Sequence, residues 1–336
     1  MEKLKVVSLF SGCGGMDLGM LGGFTFLEKN YSKNPTEIVF ANDLEQSFCE
    51  IFEANFDYSV VKDDIRKISS SRIPQHDILI AGFPCQSFSI VAQNPPRIGL
   101  DSEIGQLFFE VVRILKNKKP TCFIAENVKG ILSANNGKAF PLIRRELEKI
   151  GYTVSYKVLN SEDFGIPQKR ERVFIIGFLN KYGIKPVFPN TLKRVIPLKE
   201  VLTDSRLLDK KYYFSNKAVR GLKKANPAMN KGRVQNKNKT CATVGAHLAK
   251  VSLNSTDPVL LENKKYRRFT PREVARIQSF PDSFKLLGTE GNQYRTLGNA
   301  VPPVLMWHVS RMVIKQIKQI HESKKIEKEL ILQINK

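Results

Sequence analysis

Long apolar runs are missing from this sequence: none approaches the ~20 residues that a membrane-spanning helix requires. The opening residues, Met1-Glu2-Lys3-Leu4-Lys5, lead straight into a strand-like segment, without the apolar stretch and cleavage site of a secretory signal. Both absences predict a soluble, cytoplasmic protein with no membrane partner. Cysteine is sparse and scattered. Cys13, Cys49, Cys85, Cys122 and Cys241 share no zinc-site spacing, and their odd number argues against a disulfide framework, so no metal is expected. Tryptophan occurs once, yet 42% hydrophobic residues in a chain of 336 are enough for an ordinary core, in one large domain or two modest ones.

Acidic residues are missing from one stretch in particular. Between Lys210 and Lys250 there are eleven Lys or Arg and no Asp or Glu. Residues 1–180 are almost neutral, with 22 basic and 21 acidic side chains, whereas residues 181–272 hold 22 and 5, most of the net charge of +22. A block of this kind suits a polyanion such as nucleic acid. A solvated lysine-rich surface is the ordinary alternative.

The neutral half alternates short apolar runs with helical patterns. Val6–Phe10, Ile38–Asn42, Ile78–Ala81 and Cys122–Glu126 read as strands buried on both faces. Helices are expected over Glu45–Asn55 and Leu107–Lys116, and further strands near Thr153–Leu159 and Val173–Phe178. This alternation predicts an α/β fold: a doubly wound, mostly parallel sheet. Residues 185–265, rich in Pro, Asn and Lys, read as a small irregular second domain. Helical order returns at Pro271 behind Thr270 as N-cap, and again over Val304–Ile320; the charged tail from Glu322 extends that helix or frays.

Several strand ends carry chemically capable residues. Phe10-Ser11-Gly12-Cys13-Gly14-Gly15 follows the first strand as a glycine turn, without the Gly-Lys-Ser/Thr of a phosphate loop or a full dinucleotide fingerprint. Asp43 ends the second strand, and Asp64 lies near the end of an expected third. Ligands of doubly wound sheets sit at such ends, where one acid suits ribose hydroxyls and the other an adenine amino group, although each Asp alone is more often a cap or turn residue. The lone Cys85 sits in a polar loop beyond a strand, although most such cysteines are small buried hydrophobes. Glu126 emerges at another strand end, where a carboxylate is costly to bury unless paired or used. In Gln168-Lys169-Arg170-Glu171-Arg172, period-two spacing puts Arg170 and Arg172 on one face, as a basic edge strand would also do.

In this order, Phe10–Gly15, Asp64-Ile65, Gly82–Ser89, Glu126-Asn127-Val128, Gln168–Arg172, Arg267–Asp282 and Gly298–Pro303 resemble the DNA (cytosine-5) methyltransferases of bacterial restriction–modification systems. The resemblance implies S-adenosylmethionine as cofactor, leaving as S-adenosylhomocysteine, and catalysis by Cys85, Glu126, Arg170 and Arg172 on a base flipped out of double-stranded DNA. It implies a cofactor pocket of Phe10, Gly12, Gly14, Asp43, Asp64, Ile65, Pro84, Leu107, Asn299 and Val301. Gln86, Ser87, Ser89, Arg97, Arg233 and Thr243 would contact DNA, with residues 90–101 as a lid. There are departures: relatives usually carry Glu at Asp43, and often an aromatic at Leu44, which removes one stacking wall.

The same resemblance divides the chain. Residues 1–184 would form the catalytic and cofactor-binding domain, 185–265 a target-recognition insertion, 266–321 the part that completes the catalytic domain, and 322–336 a charged tail. The protein is expected to act as a monomer on nucleoid DNA, with a cognate restriction endonuclease in the same system. Two alternatives stand beside this reading. Methyltransferases of the same fold that act on tRNA tend to carry Pro-Pro-Cys-Gln-Pro-Phe-Thr, whereas this chain has Phe83-Pro84-Cys85-Gln86-Ser87-Phe88-Ser89. An inert DNA-binding relative would have little reason to retain Cys85, Glu126, Arg170 and Arg172 together.

Overall fold

The computed structural model describes residues 2–84, 107–192, 194–224, 233–249 and 257–334. Its strands are β1 (Leu4–Leu9), β2 (Phe24–Phe26), β3 (Lys29–Tyr31), β4 (Thr36–Asp43), β5 (Val61–Lys62), β6 (Ile78–Ala81), β7 (Cys122–Val128), β8 (Tyr152–Asn160), β9 (Glu171–Leu179), β10 (Leu260–Glu262) and β11 (Lys265–Arg267). The helices are α1 (Gly15–Leu21), α2 (Gln46–Asn55), α3 (Leu107–Lys118), α4 (Ala139–Lys149), α5 (Asn216–Lys224), α6 (Pro271–Ile277), α7 (Glu290–Asn299) and α8 (Pro303–Ile334).

Seven strands form one sheet in the order β5-β4-β1-β6-β7-β9-β8. Pairing is parallel from β5 to β7 and antiparallel between β7 and β9 and between β9 and β8. The expected mostly parallel, doubly wound sheet is therefore present. Side chains alternate between its two faces. Val6, Ile78, Ile80, Ile124 and Ile176 pack toward α1 and α8, while Val7, Leu79, Phe123 and Ile175 pack toward α3 and α4. Burial on both faces explains why these strands read as unbroken apolar runs. The chain winds outward from β1 through β4 to β5, then restarts at β6 on the other side of β1. That reversal is the topological switch point, where a crevice forms beyond the carboxyl ends of the strands.

The ends of the chain close on each other. The buried face of α8, including Val304, Leu305 and Val309, joins the same core as Met16 and Met20 of α1. α8 runs on to Ile334, so the tail continues the helix. α6 starts as expected, with Thr270 accepting from Glu273 N in a capping box and Pro271 in the first turn. The expected third strand is the two-residue β5; Asp64 lies beyond it and caps a short 3₁₀ turn by accepting from Arg66 N. Within 185–265 the described residues form short 3₁₀ turns, α5 and isolated bridges, with the hairpin β10–β11 at the far end.

Candidate active site

A cavity of about 720 Å³ opens at the switch point, lined by the loops after β1, β4 and β6, by β7 and by the end of α7. Of the expected cofactor positions, Phe10, Gly12, Asp43, Asp64, Ile65, Pro84, Leu107, Asn299 and Val301 line it, and Gly14 does not. Gly14 instead precedes α1 with φ of +85°, and a Cβ there would lie 2.2 Å from the Phe56 ring. It shapes the turn and lets α2 approach. Asp43 holds its carboxylate fixed at the end of β4. Oδ2 accepts from Gly12 N at 2.8 Å and Oδ1 from Glu45 N at 2.9 Å. Burial pushes the Asp43 carboxyl up to about 6, opposed by hydrogen bonds from the Gly12 and Leu44 amides and by the positive charge of Arg295.

Deeper in the cavity, Glu126 of β7 meets Arg172 of β9, with Nε 3.0 Å from Oε1. Both side chains are almost fully buried. Burial raises the Glu126 carboxyl above the usual range, and the charges of Arg172 and Arg170 oppose the rise. Glu126 therefore holds a proton more readily than an ordinary glutamate. Gly82 leaves room beside it: a Cβ there would sit 3.8 Å from Glu126 Oε2. Asn127 braces the neighbouring loop, Nδ2 donating to the Phe83 carbonyl at 3.1 Å, one residue before Pro84. Cys85 follows Pro84 in the chain. Together with Gln86, Ser87, Ser89, Arg97 and the expected lid at 90–101, it lies outside the described residues.

Comparisons with known proteins show the family to which the chain belongs. The family model for C-5 cytosine-specific DNA methylase matches residues 4–318. The chain belongs to that family. Membership carries the reaction, transfer of a methyl group to C5 of cytosine in DNA, and in general the use of S-adenosylmethionine. Among curated relatives, Type II methyltransferase M.DsaV of Dactylococcopsis salina is 34% identical over 340 residues, covering 97% of this chain and 90% of its own. Type II methyltransferase M.HaeII of Haemophilus aegyptius is 35% identical over 312 residues, covering 90% of each. The solved structure of the Entamoeba histolytica methyltransferase EhMeth superposes with a TM-score of 0.74 over 94% of this chain and 99% of its own; at 18% identity it speaks for the fold alone.

Within this methylase, Arg170 and Arg172 have different surroundings. Arg172 reaches Glu126, whereas Arg170, only 1% exposed, donates to the carbonyls of Val244, Gly298 and Ala300 at 3.0, 2.8 and 3.1 Å. Gln168 and Gln278 extend the grip. Gln168 Nε2 donates to Gln278 Oε1 at 2.7 Å, its Oε1 accepts from Val244 N at 2.9 Å, and Gln278 donates to the Leu297 carbonyl. A Cβ on Gly298 would fall 2.3 Å from the Gly245 backbone, so glycine is needed for this approach. The strand-like pattern of Gln168–Arg172 is thus partly a buried junction between the loop before β9, the segment at 241–245 and the end of α7.

Of the expected DNA contacts, Thr243 is exposed, and its hydroxyl donates to the Lys169 carbonyl at 2.7 Å. Arg233 is buried, and its Nε donates to the Asp257 carbonyl at 2.8 Å. The basic block is not uniform. Lys211 pairs with Glu290 and Lys237 with Glu262, whereas Lys217, Arg220, Lys223 and Lys224 stand exposed on α5.

Four cavity or near-cavity residues escaped the sequence reading. Asn127 lay inside a motif but was overshadowed by Glu126. Phe48 counted only as part of the apolar face of a helix, and Arg295 had no local signal; both line the cavity. Asp17, in α1, is fully buried, and burial pushes its carboxyl up to about 7, with partial relief from the neighbouring Ser8 hydroxyl. No well-aligned hydrogen bond reaches either of its oxygens among the described residues.

Proposed function

We propose that this methylase modifies one recurrent sequence in double-stranded DNA as the protective half of a restriction–modification pair. In this reading residues 1–184 and 266–321 form the catalytic body, and 185–265 the target-recognition domain. The relatives' designation as Type II methyltransferases supports the pairing. The positive balance of residues 181–272 and the exposed cations of α5 support a polyanionic partner at the insertion. The observation that carries the chemistry is the buried Glu126–Arg172 pair in a cavity lined also by Pro84, the residue that precedes Cys85 in the sequence.

The cavity chemistry fits the cofactor. Its volume lies within the ~300–1,000 Å³ of small-molecule sites. The Asp43 carboxylate faces it with lone pairs free to accept ribose hydroxyls, and Phe10, Ile65, Pro84, Leu107 and Val301 offer apolar walls. Asp64 is paired with Arg66, which holds its carboxyl below the usual range and keeps it an acceptor for an amino group. Asn299 offers an amide at the end of α7. Bound there, S-adenosylmethionine supplies an electrophilic methyl group and leaves as S-adenosylhomocysteine.

The chain's own residues make the base reactive. The Cys85 thiolate bonds to C6 of the flipped cytosine, turning an unreactive ring carbon into an enamine-like nucleophile at C5. Glu126, inclined to hold a proton, donates to N3 and absorbs the charge that the addition sends into the ring. Arg172 fixes the Glu126 carboxyl and offers positive charge to the same edge. Once C5 carries the methyl group, loss of its proton re-forms the C5–C6 double bond and expels the Cys85 sulfur. Cavity closure over DNA would exclude water during these steps.

Bisulfite sequencing of plasmid DNA treated with the protein and S-adenosylmethionine tests the reading. The expected result is protection of one cytosine within a single recurring sequence. Absence of protection, or protection without a common sequence, would overturn it.

A further inference from the structure

The rim of the cofactor cavity carries an ion pair with no assigned role. Glu45 is the N-cap residue of α2, and Arg295 lies on α7, 250 positions later in the chain; their side chains meet in a salt bridge. The Arg295 guanidinium also lies over the Phe48 ring, 5.0 Å from its centroid. All three residues line the cavity, beside Leu44, which is 66% exposed. The position where relatives often carry an aromatic therefore holds an unpacked leucine. One turn further along α2, an aromatic ring and a guanidinium plane lie together.

We propose that Arg295, latched by Glu45 and seated on Phe48, closes the Asp43 end of the cavity and retains the bound cofactor. The inference rests on reading this cavity as the cofactor site. Three observations support it. The latch connects to the proposed ribose acceptor, because Glu45 donates its own backbone N–H to Asp43 Oδ1. Arg295 lies close enough to Asp43 to favour its ionised form, which is the form that accepts hydroxyl hydrogens. The other titratable groups near Asp43 do not do this work: Asp17, buried in α1, is a second carboxyl and cannot favour a neighbouring negative charge, and the neutral Cys49 thiol donates to the Asp43 backbone carbonyl.

The pair is also of the right strength for a latch. Glu45 and Arg295 are 46% and 45% exposed, so water and salt screen their attraction. Such a pair breaks easily, and the cation–π seat on Phe48 adds a modest increment. It can slow ligand release without making it prohibitive. A guanidinium is suited to the position, because its planar fork serves the carboxylate while its face rests on the ring. Lysine would keep the charge and lose the plane.

The test measures release of S-adenosylhomocysteine from the immobilised full-length protein by surface plasmon resonance. Wild type, Arg295→Gln, Arg295→Lys, Glu45→Gln and Asp43→Ala are compared, with thermal melting of each. Loss of the pair is expected to speed release about fivefold in Arg295→Gln and Glu45→Gln, the size of one exposed ion pair with its seat. Arg295→Lys should fall between wild type and Gln. Salt at 0.5 M should speed release from wild type but barely from Arg295→Gln. Wild-type release rates in both Gln variants, or a salt response unchanged in Arg295→Gln, would overturn the proposal. A pair that merely pins α7 to α2 would lower the melting temperature and leave release unchanged. Failure of wild type to bind at all, or full binding by Asp43→Ala, would instead strike at the cofactor reading beneath it.

Discussion

Glu126 and Arg172 are diagonal neighbours across two antiparallel strands, not directly opposed ones. In the pairing of β7 with β9, Val128 faces Arg172 and Phe174 faces Glu126. Arg172 therefore leans along the sheet to bring Nε within 3.0 Å of Oε1. Glu126 still lines the cavity, the side from which the proposed mechanism brings the base.

Replacing Glu126 by Gln keeps the size of the side chain but removes the ionisable proton and leaves Arg172 without its counter-charge. Methyl transfer is expected to fall about 10²-fold or more. Stability should fall by roughly 3 kcal/mol through the uncompensated buried cation. Single-turnover transfer and chemical denaturation measure the two losses separately. An Arg172→Gln, Glu126→Gln double variant should recover part of the stability and none of the rate.

DNA bearing 5-fluorocytosine at the target should be trapped covalently by the wild-type protein, because fluorine does not leave C5 as a proton does. Cys85→Ala should give no trapped species and no methylation, while still binding DNA in a mobility-shift assay. A denaturant-resistant complex in Cys85→Ala would assign the nucleophile elsewhere.

Asp17 predicts a pH effect of definite sign. Its folded-state carboxyl is pushed up to about 7, whereas the unfolded chain returns it to ~3.9. The folded state thus binds the extra proton between these values. The stability from this group is fully present below pH ~4 and is lost as pH rises through about 7. Asp17→Asn should be more stable than wild type, with an advantage that grows by roughly 2–3 kcal/mol between pH 5 and pH 7.5. Urea denaturation at the two pH values measures it, and an advantage independent of pH would show that the folded-state carboxyl of Asp17 is not raised and is already ionised at pH 5.

The exposed cations of α5 predict a salt effect. Lys217, Arg220 and Lys224 recur at three- and four-residue spacing and share one face. Changing all three to Gln should weaken DNA binding and flatten the log–log salt slope by about 2–3, since each phosphate neutralised by a cation adds near 0.9 to that slope. The same change at Lys211 and Lys237 should have less effect, since both already hold carboxylates.

The sheet was legible because β1, β6 and β7 are buried on both faces, so apolar residues dominate their sequences. The cavity wall was legible where residues follow a strand end, as Phe10, Asp43 and Pro84 do. Arg295 was not, because its role depends on α7 meeting α2 in space, and no pattern in either helix announces that meeting. Gly14 looked like a ligand-facing glycine; the reason for it, the Phe56 ring, lies just past α2. Period-two spacing grouped Arg170 with Arg172 but carried no information about the Val244, Gly298 and Ala300 carbonyls, which arrive from other parts of the chain.

On the proposed reading of residues 185–265 as the target-recognition domain, the three-carbonyl hold of Arg170 has a consequence for transplanting recognition between methylases. An exchange that swaps all of 185–265 would remove the Val244 carbonyl, the Gln168 partner at Val244 N and the Gly245 backbone on which Gly298 rests. Arg170 would then keep its charge in the interior with part of its coordination gone. A chimera should splice downstream and upstream of 241–245 and keep those five residues native, as the socket into which a foreign reading head is plugged.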